Sequence, residues 1–446
     1  MRKLLAVLLC ASCFADDCPL PADGSRRATG LRVPSAAEHA KALKAAIRPP
    51  RVSLAGALPS SVDNSQSPFF PPVGDQGGLG SCAQWSGVYY CLSYEYSKLY
   101  GQPVILSPKW TYNALNYAGN NGTWYTDGWD IARFHGCATM SEFPYDDDYS
   151  GWATNLTTWI NAMYRRAAGW TAIDGLSNDT GISRLKQEIA AGRIFSFAIY
   201  IYSAKFKRVR NNPQTCADDR FLNELAIAYV SGTDGAHAMT IVGYNDDVWV
   251  DINGDGVVQP TELGAFKIAN SWGYYWGNFG FVWLSYDAIR KRNPATGYGA
   301  AEFDTAWAVI PAMAEPKAVW TAKLSGEARG QLSIAYVDAS GLKKPSYFGP
   351  AGGNCPFAGL GRTNPVEVAL EVSVSESPIL NKIGFSDMVA GKPVLVRDVT
   401  FAVPRYFLEV RLGTSDVVDC STRSYAYVYG TTSRQKPYAV GGKRKD

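Results

Sequence analysis

The chain has 446 residues, 46% of them hydrophobic and 19% charged, with 43 Lys and Arg set against 40 Asp and Glu. That balance fits folded structure and excludes a disordered chain, and the length accommodates two domains. A formal charge of +3, with no basic run before the terminal Lys443-Arg444-Lys445, gives no footing for nucleic acid.

Met1-Arg2-Lys3, the apolar stretch from Leu4 to Leu9 and a small Ala15 before Asp16 read as a secretory signal over residues 1–15. The run is too short to cross a bilayer, and no other segment reaches the needed length, so no transmembrane segment is expected. Cys13 raises a lipid-anchored variant, but Cys10 stands where such a signal wants an aliphatic residue. Export to the periplasm or medium is the expectation. Nine cysteines less Cys10 and Cys13 leave seven, an odd number in an oxidising compartment. Cys355 and Cys420 are an expected pair, Cys91 is a candidate partner for Cys137, and Cys18 and Cys216 have no clear partner. Residues 16–58 form a leader with a helix over Ser35–Ile47, stopped by Pro49-Pro50.

Gln76-Gly77-Gly78-Leu79-Gly80-Ser81-Cys82 is a glycine-rich turn that delivers a cysteine to the start of a helix. Trp85, Val88, Tyr89, Leu92, Tyr96 and Leu99 fall at the spacing of one buried stripe, and Gly101 is a natural stop. A thiol in the first helical turn faces unpaired N–H groups and the positive end of the dipole, which favour thiolate. Helix signals dominate to about residue 200. Strands are expected at Ala236–Tyr244, Phe266–Ala269, Phe279–Ser285 and Ala306–Ile310, giving an α+β fold with a cleft between its halves. Pro311–Pro316 reads as a linker. Beyond it, Val366 to Val374 alternate with Glu367, Ala369, Glu371 and Ser373. Leu332-Ile334-Tyr336, Phe401–Leu412 and Tyr425–Tyr429 repeat the style, so residues 317–435 are expected to form an all-β sandwich.

Cysteine alone is usually structural. Of three histidines, His39 lies in the leader and His135 at an expected helix end, whereas His237 sits in Gly235-Ala236-His237-Ala238-Met239, flanked by small residues. Cys82 and His237 are therefore the candidate nucleophile and base.

These segments, with Leu106-Ser107-Pro108, Phe143-Pro144-Tyr145 and Asn270-Ser271-Trp272-Gly273, resemble the motifs of the papain family of cysteine peptidases, over residues 59–312. The resemblance implies a two-lobed fold, one lobe helical and one barrel-like, and secreted members with added domains are similar. It implies that Asn270 orients the imidazole, that Trp272 shields that bond, and that Gln76 helps bind the oxyanion. Gly122-Thr123 stands where relatives use Gly-Gly to hold substrate backbone, and an ordinary loop tip is the other reading. The leader stands where relatives carry a cleft-blocking propeptide, with cleavage near Leu58 as an open option. Leu79 replaces a cysteine many relatives have, so that family disulfide is absent.

Asp251-Ile252-Asn253-Gly254-Asp255-Gly256 through Glu262 matches the twelve-residue calcium loop at its fixed positions. Asp251, Asn253, Asp255, the Val257 carbonyl, Gln259 through water and Glu262 would supply oxygen ligands to Ca²⁺. A polar hairpin tip is the alternative. The expected activity is a secreted cysteine endopeptidase acting on proteins or peptides, with a structural calcium and no cofactor needed for the chemistry. A catalytically silent calcium-binding or adhesion protein and an acyl transferase are its rivals, and no partner is assigned to the C-terminal domain.

Overall fold

A serine cap starts the first helix, α1 (Ala36–Ala45): Ser35 and Glu38 bond each other's backbone N–H in a capping box, and the Ala46 N–H closes the other end on Leu43. The computed structural model describes residues 26–48, 57–316, 318–338, 341–343, 353, 355–362, 365–372, 381–387, 394–403, 408–411, 418–419, 424–430 and 439–443. The expected signal over residues 1–15, and Cys18, Cys420 and Val374, lie outside the described residues.

The central helix begins with α2 (Cys82–Gln84), continues through a π-helical run at Trp85–Leu92 and ends as α3 (Ser93–Tyr100). Gly101 stops it at φ 80°, as expected. The single-stripe expectation needs correction. Every residue from Cys82 to Ser97 is buried, polar Gln84, Ser86 and Ser93 included, while Leu99 is exposed. A helix wrapped by both lobes has no solvent face, so its polar side chains bond inward: Ser86 reaches Ser196 and the Met239 carbonyl. Around it stand α4 (Pro108–Leu115), α5 (Tyr125–His135) and α6 (Leu156–Ala162). Farther along come α7 (Asp179–Ala190) and α8 (Tyr286–Arg290).

The second lobe is one nine-stranded sheet. Its strands are β1 (Ser61–Asp63), β2 (Arg165–Ile173), β3 (Phe195–Tyr200), β4 (Ala204–Arg208), β5 (Leu225–Val230), β6 (Ala236–Trp249), β7 (Leu263–Ala269), β8 (Phe281–Ser285) and β9 (Ala306–Met313). The order is β2-β9-β3-β6-β7-β8-β5-β4, with β1 on β6. Thus β2 and β3 fall inside the half expected to be helical. The expected linker is also shorter: β9 runs through Pro311 to Met313, and Pro311 pairs with Ala167 where a bulge breaks the register with β2. Antiparallel β6 and β7 carry the site, and Thr240 lies opposite Ala269.

The C-terminal strands form two five-stranded antiparallel sheets. One contains β10 (Ala318–Gly326), β13 (Val366–Val372), β15 (Val394–Val403), β16 (Leu408–Arg411) and β17 (Val418–Asp419). The other holds β11 (Leu332–Asp338), β12 (Gly341–Lys343), β14 (Asn381–Asp387), β18 (Ser424–Gly430) and β19 (Ala439–Lys443), the last beyond the expected limit at residue 435. They dock on the helical lobe. Buried Arg329 bonds the Ser150 and Asn113 carbonyls and lies over the Trp152 ring at 4.7 Å, and Arg166 pairs with Glu371.

No disulfide joins the described cysteines: Cys82, Cys91, Cys137, Cys216 and Cys355 are free thiols. The suggested Cys91–Cys137 bridge is therefore corrected. Cys91 lies against Ser196 at 3.2 Å, while Cys137 points to the Ser107 carbonyl at 3.7 Å, so the two sulfurs serve different contacts.

Candidate active site

Two strands and one turn bring the candidate residues together. His237 is the second residue of β6, and Asn270 directly follows β7. The His237 Nε2 atom and Asn270 Oδ1 are 2.7 Å apart. That bond fixes the ring, and its other nitrogen, Nδ1, is buried without a hydrogen-bond partner. The next residue, Ala238, directs its backbone N–H at the Cys82 sulfur at 3.4 Å. Trp272 stacks on the imidazole with centroids 4.5 Å apart, and closes the His237–Asn270 bond from water, where such a bond strengthens.

Gln76 is clamped from the far side: Ser271 Oγ donates to its Oε1 at 2.6 Å. This leaves the amide Nε2 to donate, and it does so to two carbonyls, Leu79 at 2.8 Å and Thr29 at 3.0 Å. The Thr29 carbonyl thus occupies one proton of the Gln76 side-chain amide.

Residues 26–33 form a strap across the cleft, a course the sequence did not disclose. Tyr202 donates its hydroxyl to the Arg27 carbonyl, and Trp272 Nε1 donates to Ala28 at 2.8 Å. Leu31 N–H donates to Ala236 at 3.2 Å. Thr123 receives the strap as an extended partner: its N–H donates to Gly30 at 3.1 Å and its carbonyl accepts from Arg32 at 3.0 Å, in a parallel bridge. Gly122 is needed as glycine, because a Cβ there would meet the Gly30 carbonyl oxygen at 2.3 Å. Gly30, at φ 102°, lies against Gly80. Salt bridges Arg26–Asp234, Arg27–Asp75 and Arg32–Asp127 flank the strap.

Burial opposes the expected thiolate. Cys82 is 0% exposed, and burial pushes its thiol up to about 12 despite N–H donors from Ala238, Ala83 and its own backbone. Burial likewise pushes His237 down to about 4, against the raising effect of Asn270. Desolvation outweighs the helix terminus, since the start of the central helix is buried at Cys82, Ala83 and Gln84. Both shifts run in the direction of the uncharged forms.

The Asp251–Glu262 segment joins β6 to β7. Asp251 accepts from Gly254 at 2.7 Å and Gly256 at 3.1 Å, and both glycines have left-handed φ, 81° and 71°. Glu262 turns inward and accepts from Ile252, Asn253 and Trp249 Nε1. Asp255 instead holds Asn253 Nδ2, the Val257 N–H and Gln259 Nε2. Among the described residues no group of three His, Cys, Asp or Glu side chains converges in metal-binding geometry. The donor set is all oxygen, however, and two of its carboxylates are buried, Asp251 and Glu262. Those are the donors a hard cation takes, so the residues present fit Ca²⁺ once Asp255 releases its loop contacts.

The fold and site define a thiol hydrolase with its reactive centre between a helical lobe and a sheet. A profile described as papain family cysteine protease matches residues 58–297, over half of the chain. The chain belongs to the papain family of cysteine proteases and is a peptidase, a hydrolase whose family implies protein or peptide substrates. Similar solved structures include xylellain, a cysteine protease from Xylella fastidiosa, at 20% identity over 64% of this chain and 98% of that one, TM-score 0.44. Digestive procathepsin L2 from the larval midgut of Tenebrio molitor is 20% identical over 64% and 78%, TM-score 0.43. Bromelain from Ananas comosus is 16% identical over 57% and 99%, TM-score 0.40. No curated protein matches. No described helix is long and apolar enough to cross a membrane.

Proposed function

We propose that the chain is an exported endopeptidase that cleaves through an acyl-enzyme on Cys82 and is held latent by residues 26–33. The carrying observation is the Thr29 carbonyl on Gln76 Nε2, beside the sulfur and the oriented imidazole. When substrate takes the strap's place, its scissile carbonyl takes the place of Thr29. His237 Nδ1 accepts the thiol proton, and the sulfur attacks the carbonyl carbon. The oxyanion is met by Gln76, a donor of a kind worth about 2.7–4 kcal/mol when deleted in other hydrolases. The imidazolium then protonates the leaving amine, the C–N bond breaks, and water, deprotonated by the same nitrogen, releases the acid.

The strap is displaceable on energetic grounds. Ordering eight backbone residues costs roughly 8–16 kcal/mol. Six net hydrogen bonds return about 3–9 kcal/mol, and burying Leu31 about 1.5–3 kcal/mol. Helix α1 adds two contacts, His39 stacked on Phe303 at 4.3 Å and Trp170 Nε1 bonded to Ala42. A full-length chain incubated with peptide should therefore show a lag that ends as the leader is cut. Hydrolysis by Cys82→Ala would sink the proposal.

Burial of Cys82 also suits the silent binding reading, which predicts no turnover after the leader is removed. We further infer that Ca²⁺ held by Asp251, Asn253, Asp255, Val257, Gln259 and Glu262 ties β6 to β7 and so keeps His237 and Asn270 in register. The ion would supply charge neutralisation within the loop and would not touch substrate.

A further inference from the structure

The turn after Asn270 presents three aromatic side chains to solvent: Tyr274 is 55% exposed, Tyr275 98% and Phe279 65%. They form one patch, with ring centroids 5.9 Å apart for Tyr274–Tyr275 and 5.1 Å for Tyr274–Phe279. Phe279 has φ 57°, a left-handed conformation costly for a bulky residue. The surrounding chain enforces it. Gly280 N–H donates to Trp276 at 2.7 Å, Asn278 N–H to Phe281 at 2.8 Å, and the Asn278 amide clasps both the N–H and the carbonyl of Leu225. A strained backbone that holds an aromatic ring in water forgoes its burial, a pattern expected where a ligand supplies it.

Behind Phe279 a cavity of about 220 Å³ opens, lined by Phe221, Glu224, Lys267, Phe281 and Trp283. Its charges already have partners: Glu224 accepts from Trp283 Nε1 at 2.6 Å, and Lys267 pairs with Asp63 at 2.8 Å. Gln66, Asn278 and Val282 complete the lining, and four aromatic rings, of Phe221, Phe279, Phe281 and Trp283, offer contact to an apolar side chain. Its side of the cleft follows from the chemistry. The leaving amine must take a proton from His237, so the departing chain passes the imidazole and Trp272, which covers it. Trp276 packs edge-on against Trp272 at 5.4 Å, and the same turn, pinned to Gly74 through Gly273 N–H, carries the three exposed rings.

We propose that Tyr274, Tyr275 and Phe279 bind the substrate segment C-terminal to the scissile bond and select an apolar or aromatic side chain there. This rests on the peptidase reading. The test uses the full-length chain and two internally quenched peptides that differ only in Phe or Ser at the second and third positions after the cleaved bond. The kcat/KM ratio is independent of the strap-closed fraction, which is common to both. A preference for Phe of about tenfold or more is expected, the scale of one apolar pocket contact. It should fall within about twofold of unity in Tyr274→Ser/Tyr275→Ser/Phe279→Asn. Phe279→Asn alone should lose part of it, since asparagine tolerates the left-handed backbone. No preference in the native chain, or a preference unchanged by the triple substitution, overturns the proposal. Loss of self-association without loss of preference would assign the patch to a second copy, and also overturns it. Failure to hydrolyse either peptide removes the peptidase reading, and this inference with it.

Discussion

The side-chain amide of Gln76 donates to the main-chain carbonyl of Thr29 at 3.0 Å, so one donor serves both the leader and the oxyanion proposed for catalysis. The two uses exclude each other. Opening the strap should therefore expose the thiol and free the donor in a single event.

Gly30 is the place to force that opening. It has φ 102°, and a Cβ would approach the Gly80 backbone to 2.2 Å, so Gly30→Ala cannot keep the present path. Alkylation of Cys82 by iodoacetamide should accelerate by about tenfold or more, the effect of destabilising closure by about 1.4 kcal/mol. Mass spectrometry of the labelled peptide measures it.

Closure should have a pH window. His237 is lowered from 6.5 to about 4, so its contribution is present above 6.5 and is lost as pH falls through 4. The Cys82 thiol is raised from 9.0 to about 12, so its contribution is present below 9 and is lost as pH rises through 12. Trimming of the leader by an added acid-tolerant protease should be slowest near neutrality and accelerate from pH 6.5 toward 4, with the added protease's own pH dependence corrected on an unfolded peptide.

Calcium should act on stability before chemistry. Chelation is expected to lower the melting temperature by several degrees, and millimolar Ca²⁺ to restore it, as for any ligand of the native state. In Asp251→Ala the melting temperature should no longer respond to calcium, as differential scanning fluorimetry can record. Equal melting temperatures with and without chelator in the native chain would remove calcium from the account.

Alkylation under denaturing, non-reducing conditions should modify Cys91 and Cys137 fully, each as a separate thiol. A peptide containing both, linked and unlabelled, would contradict the fold around the central helix.

The candidate groups were legible in two ways: chemistry restricts residue type for a cysteine at a helix start and a histidine among small residues on a strand, and the family resemblance pointed to an asparagine two residues before a tryptophan. The α+β division and the alternating strand at Val366–Val372 were legible from periodicity. What escaped depends on tertiary contact. Residues 26–33 carry no pattern, and become a strap only because Thr123, Gln76 and Ala236 offer bonds to their backbone. The burial of Cys82 was not legible either, since helix position was visible but the packing around the sulfur was not. Pro311 suggested a linker, yet it sits at a bulge where the missing N–H is tolerated. Spacing gave no sign that Cys91 and Cys137 face different neighbours.

The most direct test of the central claim is covalent trapping. An electrophilic peptide that forms a thioether is incubated with the Gly30→Ala chain, and hydrolysis is followed in parallel. One label per chain on Cys82 is predicted, with peptide hydrolysis lost in proportion and neither event in Cys82→Ala. Hydrolysis that survives full labelling, or persists in Cys82→Ala, would contradict the account.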